Sequence, residues 1–185
     1  MGCASSVTEE RTTKNGTAGG IPEPDAPPPT DPRLPLSARQ KFSLEKSWKA
    51  VQRSLEGVGM NALIRLFKQC PDTQDWFPLF TGKTEDQLRE DESFAAHANA
   101  LMSVFDESVE NLGDVDEAIK LLTKTGKRHA KLGLEADIIM KFHQPLLKAI
   151  EELLDTRYSE KIEEIYKLWL KFVFEHITKG MEAGA

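Results

Sequence analysis

Residues 92–112 read ESFAAHANALMSVFDESVENL, and this stretch decides the fold. Its apolar side chains, with one histidine among them, recur every three or four residues, which places them on one broad face of a helix. These side chains are Phe94, His97, Leu101, Val104 and Phe105. Gly113 follows directly, as glycine commonly does at the C-terminal end of a helix. The stretch predicts a long amphipathic helix that turns a histidine toward the protein interior.

The same period continues through residues 37–185, and no segment alternates apolar and polar residues as a half-buried strand does. The sequence therefore predicts an all-α domain. The expected helices begin at a Ser37 cap with Phe42, Leu44, Trp48 and Val51 inward, and continue as Gly57–Cys70, a turn at Pro71, Glu92–Leu112, Val115–Lys131, Glu135–Leu154 and Tyr158–Lys179. A polar loop is expected after Gly82. Pro145 predicts a kink or a later start within Glu135–Leu154, because proline lacks a backbone N–H and clashes with the preceding turn.

Residues 1–36 differ in composition from the rest of the chain. They hold seven of the ten prolines and no aromatic residue. Such a segment buries too little apolar surface to offset the entropy cost of ordering it. We therefore expect residues 1–36 to form a disordered N-terminal tether and residues 37–185 to form one folded domain.

The first six residues, MGCASS, fit the M-G-x-x-x-[ST] pattern by which Gly2 accepts a myristoyl chain once Met1 is removed. A single myristoyl chain binds a membrane only marginally, so a stable anchor needs a second signal. Cys3 is the only candidate, as a palmitoylation site, because the nearby basic residues are offset by acidic ones. The pattern predicts a peripheral protein held by acyl chains at the cytoplasmic face of the cell membrane. The cytosol is the alternative.

Charge and hydropathy exclude other classes of protein. The net charge is −6, and neither the tether nor the domain has the excess of positive charge that binding to nucleic-acid phosphates requires. No apolar run approaches the ~18–20 residues of a membrane-spanning helix. Cys3 and Cys70 lie on opposite sides of the tether and cannot form a disulfide framework within the domain, which suits a reducing compartment. No large exposed apolar motif is visible, so we expect a monomer.

Four histidines lie on or beside apolar helix faces, and two of them, His143 and His176, are interpreted as structural. His97 and His129 lie 32 residues apart on successive helices, each on the inward face, downstream of an aromatic corner at residues 76–80. Two imidazoles in an apolar slot suit an iron porphyrin, whose iron takes axial nitrogen ligands. Zinc fits less well because it needs three or four closely arranged ligands. No nucleophile motif or phosphate-binding loop supports a hydrolase or a nucleotide-binding protein.

Several residues of the domain also occur in the order of a known family. They are Trp48 in the first helix, Phe67 ending the second, Pro71 opening the third, Phe77 at the corner, then His97 and His129. In this order residues 37–185 resemble a globin over essentially their whole length. Within that family, the run Gly126-Lys127-Arg128-His129, the 32-residue interval and the N-terminal Gly-Cys resemble the neuroglobin and globin X branch, some members of which are acylated and membrane-associated.

The resemblance implies a globin fold of about eight helices around haem b, iron protoporphyrin IX. His129 would be the permanent, proximal iron ligand, oriented by a carbonyl or a hydroxyl that the sequence does not identify. His97, on the distal side, would either donate a hydrogen bond to a bound ligand or bind the iron itself. The resemblance also implies a pocket lining of Phe77, Leu63, Leu101, Leu134, Ile139 and Phe142.

Three functions remain open at this point. The first is a non-enzymatic haem protein that reversibly binds oxygen, nitric oxide or another small ligand at a membrane surface, for oxygen transport, sensing or redox protection. The second is an enzyme, a haem-dependent nitrite reductase or a peroxidase, served by an unidentified reductase or other electron donor. The third is a haem-free helical adaptor, which the two axial histidines argue against because an adaptor needs neither.

Overall fold

The computed structural model of the chain describes residues 30–184, and within this range it is all-helical, as predicted. Its eight α-helices are α1 (Ala38–Gln52), α2 (Leu55–Gln69), α3 (Glu85–Arg89), α4 (Glu92–Glu110), α5 (Val115–Lys131), α6 (Ala136–Met140), α7 (His143–Leu154) and α8 (Glu160–Glu182). Three short 3-10 helices cover Pro71–Trp76, Asn111–Gly113 and Asp155–Arg157. The predicted acylation sites Gly2 and Cys3, and most of the predicted tether, lie outside the described residues.

Five of the eight described α-helices, namely α1, α3, α4, α5 and α8, begin at a side chain that accepts from a free backbone N–H group. Ser37 caps α1 as predicted, and the Gln40 side-chain oxygen accepts from the Ser37 backbone N–H to complete a capping box. The Asp91 carboxylate accepts from the backbone nitrogens of Ser93 and Phe94 and so starts α4. Each cap fixes the register in which the apolar face of its helix meets the core.

The core forms where α8 crosses the other long helices. Trp48 of α1 and Trp169 of α8 are almost fully buried, and their rings meet edge to face with centroids 5.0 Å apart. Tyr166 packs against both rings, and burial raises the pKa of its phenol to about 12 although its hydroxyl lies 3.2 Å from that of Ser47. Around this centre α5 packs along α8, and α2 packs against α4 and α7.

Phe42 was predicted to face inward, and this is wrong. Its side chain is 58% exposed, whereas Leu44, Trp48 and Val51 are buried. At 100° per residue Phe42 lies outside the face that these three share. The Lys46 ammonium lies 5.3 Å from the centre of the Phe42 ring, so a cation covers the exposed aromatic face.

Two predicted segments have different boundaries in the structure. The helix expected over Glu135–Leu154 is two helices, α6 and α7, and Pro145 lies in the first turn of α7, which is the later start that proline predicted. The loop expected after Gly82 contains α3, which begins at a capping box formed by Thr84 and Gln87. Gly82 itself adopts a φ of 73°, which glycine tolerates without strain.

The end of the predicted tether lies against the domain. Leu34 and Leu36 are buried, and Arg33 pairs with both Asp31 and Asp116, the latter in the first turn of α5. Residues 30–36 therefore pack on the helices that follow. The division of the chain into tether and domain stays a prediction for residues 1–29.

No helix within residues 30–184 combines the length and the hydropathy that crossing a membrane needs.

Candidate functional site

His97 lies on α4 with two aromatic rings against its imidazole. The Phe77 ring meets it edge-on at a centroid distance of 5.3 Å, and the Phe80 ring does so at 5.9 Å. Phe77 is itself braced by Phe67 at 5.3 Å, and Phe80 by Phe94 at 5.1 Å. The imidazole therefore sits in a half-buried, aromatic setting that restricts its rotation.

The corner that carries these two rings is held by polar contacts. The Gln74 side-chain amide donates to the backbone carbonyls of Phe80 and Lys83, at 2.6 and 3.0 Å. The Lys83 ammonium pairs with Asp91, the carboxylate that caps α4. Hydrogen bonds to this ammonium and to the α4 backbone hold the pKa of Asp91 below its usual range. One ion pair thus fixes the corner to the start of the helix that bears His97.

His129 lies near the C-terminal end of α5, and its ring orientation is set by the main chain. Its Nδ1 lies 2.9 Å from the carbonyl oxygen of Thr125, one turn earlier. A carbonyl can only accept, so Nδ1 carries the proton and Nε2 keeps a free lone pair. This is the tautomer that a metal-binding imidazole requires, with its other nitrogen held by an acceptor. Of the two acceptors that the sequence left open, the structure selects the carbonyl.

The two imidazoles lie close enough to affect each other. Burial lowers the pKa of His97, and positive charge on His129 lowers it further. Both effects favour a neutral His97 with a lone pair to offer. Elsewhere within residues 30–184 no group of three or more His, Cys, Asp or Glu side chains could hold a metal ion. Two imidazoles on the inward faces of successive helices could each offer a nitrogen to a porphyrin iron, so the donor set suits haem.

The six predicted lining residues fall into two groups. Leu63 and Phe142 are buried, whereas Phe77, Leu101, Leu134 and Ile139 are half-buried and pack against the core. Val104, on the predicted inward face of α4, and Ala130, next to His129, are likewise half-buried and pack against the core. The place of the six predicted residues in a pocket lining stays a prediction.

The other two histidines lie away from this pair. His143 packs edge-on against Phe174 at 5.4 Å, and His176 against Phe172 at 4.6 Å. Burial lowers the pKa of both. Their aromatic contacts are those of packed core histidines.

Comparison with known proteins identifies the family. The family model described as Globin matches residues 60–177, more than half of the chain. The chain belongs to the globin family. This globin is 33% identical over 137 residues to a myoglobin of Mustelus antarcticus, which covers 74% of the chain and 91% of the relative. It is 30% identical over 118 residues to a globin of Nerita albicilla, which covers 64% of the chain and 75% of the relative.

A solved structure extends this likeness. The globin matches the crystal structure of a hexacoordinated heme protein from an anhydrobiotic tardigrade, at pH 4, with a TM-score of 0.81 and 40% identity. The match covers 83% of this chain and 99% of that one. The globin fold is therefore confirmed, and haem is the cofactor that the family and this neighbour indicate. The haem-free adaptor hypothesis is excluded, and the chain is a haem protein.

Proposed function

We propose that this globin reversibly binds oxygen, nitric oxide or another diatomic ligand at a haem that His129 and His97 would hold, His129 as the permanent ligand and His97 as the ligand that gives way to the diatomic one. When bound, haem would supply an iron that takes nitrogen or diatomic ligands. The observation that carries the proposal is the His129 tautomer. Its Nδ1 is held by the Thr125 carbonyl, which leaves Nε2 free for a metal.

The two histidines have different partners and therefore different proposed roles. The His129 ring is held by a hydrogen bond to the Thr125 carbonyl, which suits permanent ligation. The His97 imidazole contacts the rings of Phe77 and Phe80, and it can move away from these two rings without breaking a hydrogen bond to them. When displaced it remains a donor in an apolar pocket, where a hydrogen bond to a polarised ligand is strong. The tardigrade protein named as hexacoordinated, at 40% identity, supports the two-histidine resting state.

We further propose that the protein belongs to the globin X and neuroglobin-like branch and works at the cytoplasmic face of the cell membrane. Support comes from the MGCASS pattern, in which Gly2 would be myristoylated and Cys3 palmitoylated. Two acyl chains give the stable anchoring that one does not. There the protein would bind oxygen or nitric oxide for local supply or sensing. The redox hypothesis, with nitrite reductase or peroxidase activity, stays a prediction.

The absorption spectrum of the haem-loaded protein, oxidised and reduced, tests the two ligands. We expect sharp, resolved visible bands in the reduced, ligand-free wild type and a single broad band in His97→Leu. His129→Leu should lose haem. His143→Gln is the matched control, because it alters a half-buried histidine outside the slot and should leave every band unchanged. Resolved bands that persist in His97→Leu, or an unaltered spectrum in His129→Leu, would contradict the assignment.

Fractionation of cells expressing the full chain tests the anchor. Gly2→Ala should move the protein from the membrane to the soluble fraction, because without Gly2 no myristoyl chain can be attached. Cys3→Ser should give a weaker shift, since one acyl chain remains. Unchanged fractionation of Gly2→Ala would refute the membrane location and leave haem binding untouched.

A further inference from the structure

Helix α5, which carries His129, meets α8 directly through the main chain at two glycines. A methyl group placed on Gly126 would overlap the carbonyl oxygen of Ile177 and lie 2.9 Å from the Met181 nitrogen. A methyl group on Gly180 would overlap the Thr123 carbonyl oxygen and lie 2.8 Å from the Thr123 Cα. Ordinary contact begins at 3.4 Å. The two helices are thus as close as two glycines allow.

The contact between α5 and α8 lies at residues 123–126, in the turn whose carbonyl orients the proposed iron ligand His129. Thr123 and Gly126, which touch the α8 backbone, enclose Thr125 in sequence. The Thr125 carbonyl accepts the hydrogen bond from His129 Nδ1 at 2.9 Å. Any displacement of this turn from α8 therefore moves the acceptor of the imidazole together with the imidazole.

Beyond this turn, α5 has less support. Leu132, just after the helix, is 71% exposed, and the chain reverses at Gly133 with a φ of 79°. Among the described helices, α5 packs far more extensively on α8 than on α4. Because the C-terminal end of α5 leads into an exposed turn, the glycine crossing is the main constraint on where His129 lies.

We propose that Gly126 and Gly180 are positioning residues for His129. Their contact with the facing backbone holds the turn 123–129 in place, and so sets where His129 Nε2 would meet the iron. The inference rests on the proposed function, in which His129 is the iron ligand. A main-chain contact suits this task because no rotamer change can relax it, unlike a contact between flexible side chains.

The test is Gly180→Ala, with Gly57→Ala as its matched control. Alanine raises helix propensity in both, but a methyl group on Gly57 meets nothing within 4 Å, whereas one on Gly180 must push α5 away by about 0.5 Å or more. The readout is the iron–histidine stretching band in the resonance Raman spectrum, recorded in a His97→Leu background so that His129 is the only histidine ligand. We expect a shifted band and about 10–100-fold faster haem loss in Gly180→Ala, as when a metal ligand loses its outer support. Gly57→Ala should leave both the band and the rate of haem loss as they are in the His97→Leu protein.

A third variant, Leu44→Ala, separates positioning from general loss of stability. It removes a buried side chain of α1 and should lower the urea midpoint of unfolding without shifting the band. A band in Gly180→Ala equal to that of Gly57→Ala would overturn the inference. A His129→Leu variant that keeps haem and its spectrum would instead overturn the proposed function.

Hydrogen exchange on the haem-loaded wild-type protein keeps the inference testable if Gly180→Ala does not fold. Amides of residues 123–126 should exchange nearly as slowly as those of residues 177–181, which lie opposite them on α8. Exchange of residues 123–126 at the rate of the exposed turn around Gly133 would overturn the inference.

Discussion

Two buried tryptophans in the core differ in a single hydrogen bond. The Trp48 indole donates from Nε1 to Asp106 Oδ1 at 2.7 Å, which ties α1 to α4. The Trp169 indole, in edge contact with it, has a buried Nε1 without an acceptor anywhere in residues 30–184. Both residues are at most 1% exposed. Trp48→Phe and Trp169→Phe therefore remove the same atoms from adjacent sites, but only the first removes a hydrogen bond.

Because of that hydrogen bond, the two substitutions should lower the free energy of unfolding by different amounts. A hydrogen bond to a charged group contributes about 1.5–3 kcal/mol, whereas loss of an unpaired buried N–H relieves a desolvation penalty. We expect Trp48→Phe to lower the free energy of unfolding by about 2 kcal/mol more than Trp169→Phe does. For a domain of this size, this corresponds to a melting temperature about 4–8 °C lower.

Urea unfolding of the haem-free protein, followed by far-ultraviolet circular dichroism, measures both costs without interference from haem. Asp106→Ala, alone and combined with Trp48→Phe, closes a double-mutant cycle whose coupling energy should be about 1.5–3 kcal/mol. Asp106→Ala combined with Trp169→Phe is the control, and those two costs should add. Equal costs for the two tryptophan variants, or a Trp48–Asp106 coupling below about 0.5 kcal/mol, would refute the reasoning.

Three shorter predictions follow from other features. Asp155 has a φ of 48° and ψ of −124°, so Asp155→Gly should relieve strain and raise the urea midpoint by the equivalent of about 1 kcal/mol. Burial lowers the pKa of His143 and His176, so the unfolded chain protonates first as the pH falls. The stability of the haem-free protein should then be fully present above pH ~6.5 and fall below it. Replacing both histidines by Gln should weaken this pH dependence and leave the part that His97 contributes, since burial lowers its pKa as well. Deleting residues 1–29 should leave the melting temperature unchanged, whereas deleting residues 1–36 should lower it, because Leu34 and Leu36 are buried.

Features with a local chemical signal were predictable from the sequence. Ser37 marks the start of α1 through the hydrogen bond that its own side chain accepts, Gly113 ends the short 3-10 helix that follows α4, and Pro145 correctly predicted a later start for α7. The Thr84 and Gln87 pair is the same kind of signal, since it forms the capping box of α3 in a segment that was predicted to be a loop. Local signals of this kind need no knowledge of the tertiary structure.

Features that depend on distant partners were not predictable. The apolar character of Phe42 suggested burial, but only the packing of α1 decides which of its apolar residues face the core. His97 and His129 could be paired from their helices and spacing, yet the acceptor of His129 is a main-chain carbonyl, which every residue possesses. The role of Gly126 depends on a helix about fifty residues further along the chain, and glycine alone does not reveal it.

The contact of α5 with α8 also bears on how such a protein can change over evolutionary time. A clash between two side chains can be rescued by a smaller residue opposite, so such pairs change together. What stands opposite Gly126 and Gly180 is the peptide backbone, which no substitution makes smaller. Each glycine is therefore constrained by itself, and the two positions should show no correlated substitution although they form one contact. The packing of α5 on α8 would then be invisible to methods that infer contacts from paired changes in aligned sequences.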